Sequence, residues 1–321
     1  MKRFVLIIGV GLLVANVAYA APNTCPTSCA SINNNIAGKV CNLQLPYDPT
    51  KPAASGATSP KCAPDRGDYR AIASAKARLA SYAGQIQAAF NIAPAGLQQC
   101  VCSLRQIFVT TDSRYGSWGK WARGASGNSY IAFWTSDLNS ANLPTLLMQR
   151  LAGLGISASA GQYTDNNPSN SSTLAVLYVL AHEMAHIGFR RDYMSLSGCT
   201  LDSFLMTSWT DWQSWRQWVA RPWTSYGAAG FGQRANGIPP PANATANALQ
   251  QIYQSSMPTA LGDASPEEDF VESYALEAIN LATNNSYTLS ITIPAAGGTS
   301  YPVNGKSSLA SKFSCVDSIL K

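Results

Sequence analysis

Thr173-Leu174-Ala175-Val176-Leu177-Tyr178-Val179-Leu180-Ala181-His182-Glu183-Met184-Ala185-His186 decides how this chain is read. The run predicts a helix over residues 173–186, which Ser171 or Ser172 can cap and Gly188 can end. Positions i and i+4 share a helical face, so the imidazoles of His182 and His186 can reach one cation. Glu183 lies about 100° round from His182, beside such a cation, where a base for a metal-held water belongs. These two histidines are the only ones in 321 residues. Chance placement of both four apart, with Glu after the first, is on the order of one in ten thousand.

That scarcity restricts the third ligand. A three-histidine site is excluded. The longer H-E-x-x-H-x-x-G-x-x-H pattern fails as well, because Gly188 comes one place early and Asp192 holds the last position. The cysteines are expected to be oxidised, and a disulfide sulfur is a poor ligand. A carboxylate is left. Only five of the 17 acidic residues are glutamates, and the four besides Glu183 are Glu267, Glu268, Glu272 and Glu277. They fall on a predicted helix from Pro266 to about Ala282, with Ser265 as N-cap and Pro266 at its first position. Glu268 and Glu272 share a face; one would bind the metal while the other accepts a hydrogen bond from a ligand imidazole. Glu267 is expected to serve the helix N-terminus electrostatically, and Glu277 to point elsewhere.

The pair of helices resembles the gluzincin group of zinc metallopeptidases, in which H-E-x-x-H is followed downstream by a Glu-x-x-x-(Asp/Glu) helix. Glu268-Asp269-Phe270-Val271-Glu272 is similar to the E-F-F-A-E type of segment in the anthrax-lethal-factor-like members. The resemblance implies that Glu268 is the third zinc ligand beside His182 and His186. It further implies that Glu272 supports a histidine and that Glu183 is the general base. One Zn2+ per chain would then activate water for peptide-bond hydrolysis, with a fourth position open. Such enzymes carry a Tyr about seven residues before the ligand Glu, where this chain has Leu261. The transition-state donor is therefore a Tyr, an Arg or a backbone amide, with Tyr253 and Tyr226 as candidates. The resemblance covers residues 70–283 in outline and is specific at 182–186 and 268–272.

The rest of the chain mixes helices and strands, an α+β pattern, and the resemblance implies a zincin-like fold with motif helix, glutamate helix and a small mixed sheet. Ile72, Leu79 and Ile86 mark a helix over 70–90. Residues 105–111 and 129–135 read as strands; the resemblance implies that the second is the edge strand beside the cleft, where extended substrate would pair. A short helix is expected at 144–153, loops at 161–172 and 224–246, and a hairpin over 287–303. Trp209, Trp212, Trp215, Trp218 and Trp223 lie on or beside a predicted helix over 201–220. They read first as packing, with an aromatic shelf for ligand as the alternative.

Met1-Lys2-Arg3, an apolar run to about Val17 and Ala18-Tyr19-Ala20 read as a cleaved signal peptide over 1–20, leaving no membrane span in the mature chain. All eight Cys follow it, which implies disulfides and a secreted or periplasmic location. Residues 21–66 form a Cys/Pro/Asn-rich extension and 67–321 the catalytic domain. Loss of Lys2 and Arg3 lowers the 22 basic residues to 20 against 17 acidic ones. So mild a charge, with only 12% charged residues, argues against a nucleic-acid partner. The expected partner is a protein or peptide substrate. The alternatives are a zinc-dependent cell-wall amidase acting on peptidoglycan and a non-catalytic binding protein on the same scaffold; a retained Glu183 argues against the latter.

Overall fold

The computed structural model describes residues 35–47, 60–114, 116–121, 129–166, 171–190, 195–196, 199–200, 204, 207–208, 242–264 and 266–321. The expected signal peptide, the Trp209–Trp223 run, Tyr226 and Ser265 lie outside them, as does most of the helix expected over 201–220.

The described residues form a mixed α+β fold. Strand β1 (Val40–Asn42) and helices α1 (Tyr69–Ile92) and α2 (Ala95–Cys102) lead to β2 (Gln106–Thr110), β3 (Trp118–Trp121) and β4 (Ser129–Trp134). Helices α3 (Thr135–Leu138) and α4 (Leu143–Gly153) follow, then β5 (Gln162–Asp165) and α5 (Ser171–Arg190). After the two-residue strands β6 (Ser195–Leu196) and β7 (Cys199–Thr200) come α6 (Ala242–Gln254) and α7 (Pro266–Ala282). The hairpin β8 (Leu289–Ile293) and β9 (Thr299–Pro302) and helix α8 (Ala310–Leu320) complete the order.

Local chemistry sets several of these boundaries. Asp68 caps α1 by accepting from the Ala71 amide at 2.8 Å, and Asn142 caps α4 through the Thr145 amide at 2.8 Å. Pro266 opens α7, and Glu267, Glu268 and Asp269 fill its first turn. Gly297 and Gly298 take φ of 71° and 73°, a left-handed pair that lets the β8–β9 hairpin turn. Some boundaries depart from expectation. Helix α5 starts at Ser171 and runs through Gly188 to Arg190, because a lone glycine in a helix otherwise buried on all sides does not stop it. Strand β5 lies within the expected 161–172 loop, and α6 begins inside the expected 224–246 loop.

The main sheet has the order β1-β2-β4-β3. Strands β1, β2 and β4 are parallel, and β3 runs antiparallel to β4 with Gly119 opposite Ile131. The strand over 129–134 is therefore interior. The edges are β1 and β3, and β3 lies outside residues 129–134, which corrects the expectation that residues 129–135 form an edge. On one face Ile107, Val109, Ile131 and Phe133 enter the large core with α1 and α5. On the other, Phe108, Trp118, Tyr130 and Ala132 pack under Leu43, Cys41 and Tyr47. Tyr47 stacks on Trp118 at 5.4 Å, and the Cys41–Cys62 disulfide pins the segment that supplies these covering residues. Cys100, Cys102 and Cys315 are disulfide-bonded as well, and no cysteine among the described residues is free.

Helix α5 is apolar on every side from Leu174 to Ala181 and passes through the centre of the core, packed along α7. Edge strand β3 crosses it closely. A Cβ on Gly119 would lie 2.2 Å from the Glu183 carbonyl oxygen, so only glycine allows this approach. Ser117, just before β3, accepts from the Trp134 amide at 2.8 Å and donates to Asp137, fixing where the edge strand starts. Near the first turn of α7, Lys312 of α8 is fully buried. Its ammonium donates to both carboxylate oxygens of Asp269 at 2.6 Å, to Ser208 Oγ at 2.7 Å and to the Ser256 carbonyl at 2.8 Å. A buried ion pair needs such complete satisfaction to offset its desolvation. Among the described residues no helix is long and apolar enough to cross a membrane.

Candidate metal centre

The motif helix α5 and the glutamate helix α7 bring His182, His186 and Glu268 together, with one ligand atom from each within 4.8 Å of the others. The Nε2 atoms of His182 and His186 stand 3.2 Å apart. Glu268 places Oε2 at 3.7 Å from His182 Nε2 and Oε1 at 3.5 Å from His186 Nε2. Donors about 2.1 Å from a tetrahedral ion are spaced by roughly 3.4 Å, close to the spacing of the two nitrogens, and the Glu268 carboxylate stands beside both.

Both imidazoles are oriented by carboxylates. His182 Nδ1–H donates to Glu272 Oε1 at 2.7 Å, and His186 Nδ1–H donates to Glu267 Oε1 at 2.7 Å. These bonds assign a proton to each Nδ1 and turn each Nε2 toward the cluster. Glu272 thus stands where the sequence expected it. Glu267 does not: it is the partner of His186, which corrects its assignment to the helix N-terminus alone. Packing of α7 across α5 carries the first-turn carboxylate onto the second histidine.

Glu272 is wholly buried and accepts from Thr259 Oγ1 at 2.5 Å and from the Tyr178 hydroxyl as well. Burial pushes its carboxyl up, but the hydrogen bond from His182, the Arg150 cation and the Thr259 hydroxyl outweigh this and hold it near 2. Burial, with the Arg150 cation, depresses His182 to about 3 against the pull of Glu272, so the ring is neutral and ready to ligate. Burial also works against protonation of His186, but Glu268 and Glu267 overcome it and raise the ring to about 9. A cation bound here would displace a proton from His186. Glu183 is buried, and that burial raises its carboxyl to about 7, with His186 and Arg150 opposing. A carboxylate poised near neutrality suits proton transfer in both directions.

The centre is closed on the His182 side, where the side chains of His182 and Glu272 are 5% and 0% exposed. It opens toward Glu267 and Glu268, at 20% and 21%. The Tyr253 hydroxyl is engaged with that of Tyr163, and Tyr253 is buried. Tyr178, Thr259 and Arg150 escaped the sequence reading. Tyr178 precedes His182 by four on one helix face, a legible spacing; Thr259 and Arg150 reach the centre from other elements and leave no local signal.

No protein-family model, curated protein or solved structure matches the chain. The gluzincin resemblance therefore rests on residues 182–186 and 268–272 and on the geometry around them.

Proposed function

We propose that the protein is a secreted or periplasmic zinc metallopeptidase of gluzincin type. The observation that carries this reading is the trio of His182 Nε2, His186 Nε2 and Glu268, with each Nδ1 held by its own carboxylate. Two nitrogens and one oxygen suit zinc and leave a coordination position open. Zinc bound there would supply a Lewis acid that polarises the scissile carbonyl and acidifies water. The chain's own residues supply the rest. Glu183 takes a proton from the attacking water at its carboxylate and delivers it to the leaving amine. Glu272 and Glu267 keep the two imidazoles in one tautomer. Edge strand β3, whose backbone lies against Glu183, is the surface on which an extended peptide would pair. The disulfides are consistent with an oxidising compartment.

The deciding experiment combines metal analysis with a casein assay on wild type, His182→Ala and Glu183→Gln, with purified cell wall as the second substrate. We expect one zinc in wild type and Glu183→Gln, little in His182→Ala, and casein hydrolysis in wild type alone. Activity near wild type in Glu183→Gln would remove the mechanism, and turnover of cell wall without casein would move the enzyme to the amidases.

A further inference from the structure

Arg150 is a cation placed against a cation-binding centre, and its geometry differs from that of an ordinary ion pair. Its side chain is 17% exposed and comes from α4, outside the two helices that build the centre. One atom, Nη1, lies 3.2 Å from His182 Nδ1 and 3.5 Å from His182 Nε2. An approach in the ring plane toward Nδ1 would leave Nε2 far more distant, so near-equal distances put Nη1 over the imidazole face. Hydrogen bonding does not explain the contact: Nδ1–H already points at Glu272, and a guanidinium has no acceptor to offer. The same Nη1 donates to Glu272 Oε1 at 3.4 Å, and the guanidinium carbon sits 5.1 Å from the centre of the Tyr178 ring. Tyr178 in turn stacks near His182, with ring centres 6.2 Å apart and planes 27° from parallel. Asp137 and Glu183 add negative charge within reach of the guanidinium.

We propose that Arg150 is a positioning residue that clamps the His182 imidazole by planar stacking and braces Glu272 against its Nδ1, so that Nε2 stays aimed at the metal. The inference rests on the metal-centre reading above and adds a third helix to the support of the first ligand. A flat guanidinium can cover a ring and donate sideways at once; an ammonium on a flexible stem cannot. Charge alone is therefore insufficient, and lysine is no replacement. Outer supports of ligand histidines act at about 10–100-fold in metal affinity, which sets the expected scale.

The test uses the full chain as wild type, Arg150→Met, Arg150→Lys and His182→Ala. Zinc affinity is measured by competition with a chromophoric chelator, and melting temperature with and without zinc. We expect Arg150→Met to weaken zinc binding about 10–100-fold and Arg150→Lys to weaken it by about tenfold or more. The zinc-induced rise in melting temperature should shrink in both, a change that a fold-only role would not produce. Zinc affinity within about twofold of wild type in Arg150→Met overturns the clamp, as does wild-type affinity in Arg150→Lys, which also serves if the Met variant fails to fold. Loss of zinc in His182→Ala alongside unchanged Arg150 variants discards the clamp alone. Wild-type affinity in His182→Ala discards the metal centre and the clamp with it.

Discussion

Glu267 and Glu268 are neighbours in sequence with separate tasks, one orienting His186 and the other completing the donor trio. Glu272 does for His182 what Glu267 does for His186. Glu267→Gln and Glu272→Gln should therefore each weaken zinc affinity about 10–100-fold, while Glu268→Gln should cost far more. Chelator competition on the three variants ranks them, and an unaltered affinity in Glu267→Gln would return that residue to a purely electrostatic role. Most of this centre was legible because the composition is so sparse. With two histidines and five glutamates, few assignments remained. Glu267 was misread because acids are common in a first helical turn. Only the crossing of α7 over α5 decides which histidine it meets.

At the scale of elements, β3, which the sequence reading did not contain, takes the edge place expected of residues 129–135. The apolar run Tyr130-Ile131-Ala132-Phe133 is buried throughout, the mark of a strand covered on both faces, and it already pointed to the interior. Trp118-Gly119-Lys120-Trp121 is short, carries a glycine and shows no apolar alternation, so this edge left little trace. That glycine provides a test. Gly119→Ala forces a Cβ into the Glu183 carbonyl and should destabilise the fold by about 1–3 kcal/mol. Catalytic rate should fall through displacement of the edge strand. Denaturant melts and the casein assay report both, and wild-type values in each would refute the close approach. A second test concerns the end of α6, where the buried Lys306 ammonium donates to the Ile252 carbonyl at 3.2 Å and to the Met257 carbonyl. Burial, reinforced by the nearby Lys312 charge and opposed by Asp269, lowers Lys306 from 10.5 to about 7. Within that window the unfolded chain keeps a proton that the folded chain has released, so this group makes stability rise with pH. The unfolding free energy of wild type relative to Lys306→Met should grow as pH is raised through it. A pH-independent difference would contradict the assigned burial.

For the whole molecule, two covers on opposite faces of one sheet divide the labour. Helices α1 and α5 fill one face, and α5 with α7 carries the centre; the Cys41–Cys62 segment shields the other. Replacing both cysteines by serine should lower stability by about 2–4 kcal/mol while leaving the proposed zinc stoichiometry at one, because the candidate centre lies across the sheet. Denaturation and metal analysis of that double variant check the separation, and loss of zinc from a folded variant would refute it. Parallel pairing of β1 with β2 could not be read beforehand, since Val40-Cys41-Asn42 is too short to show a period. Helix α8 was missed for a related reason, its polar face concealing Lys312. That lysine gives the molecule a temporal property. Its partner Asp269 directly follows Glu268, yet the two halves of the ion pair are separated by 43 positions. While a ribosome is still adding those residues, the carboxylate beside Glu268 lacks the Lys312 ammonium. The first turn of α7 thus gains this buried partner only after synthesis has passed Lys312.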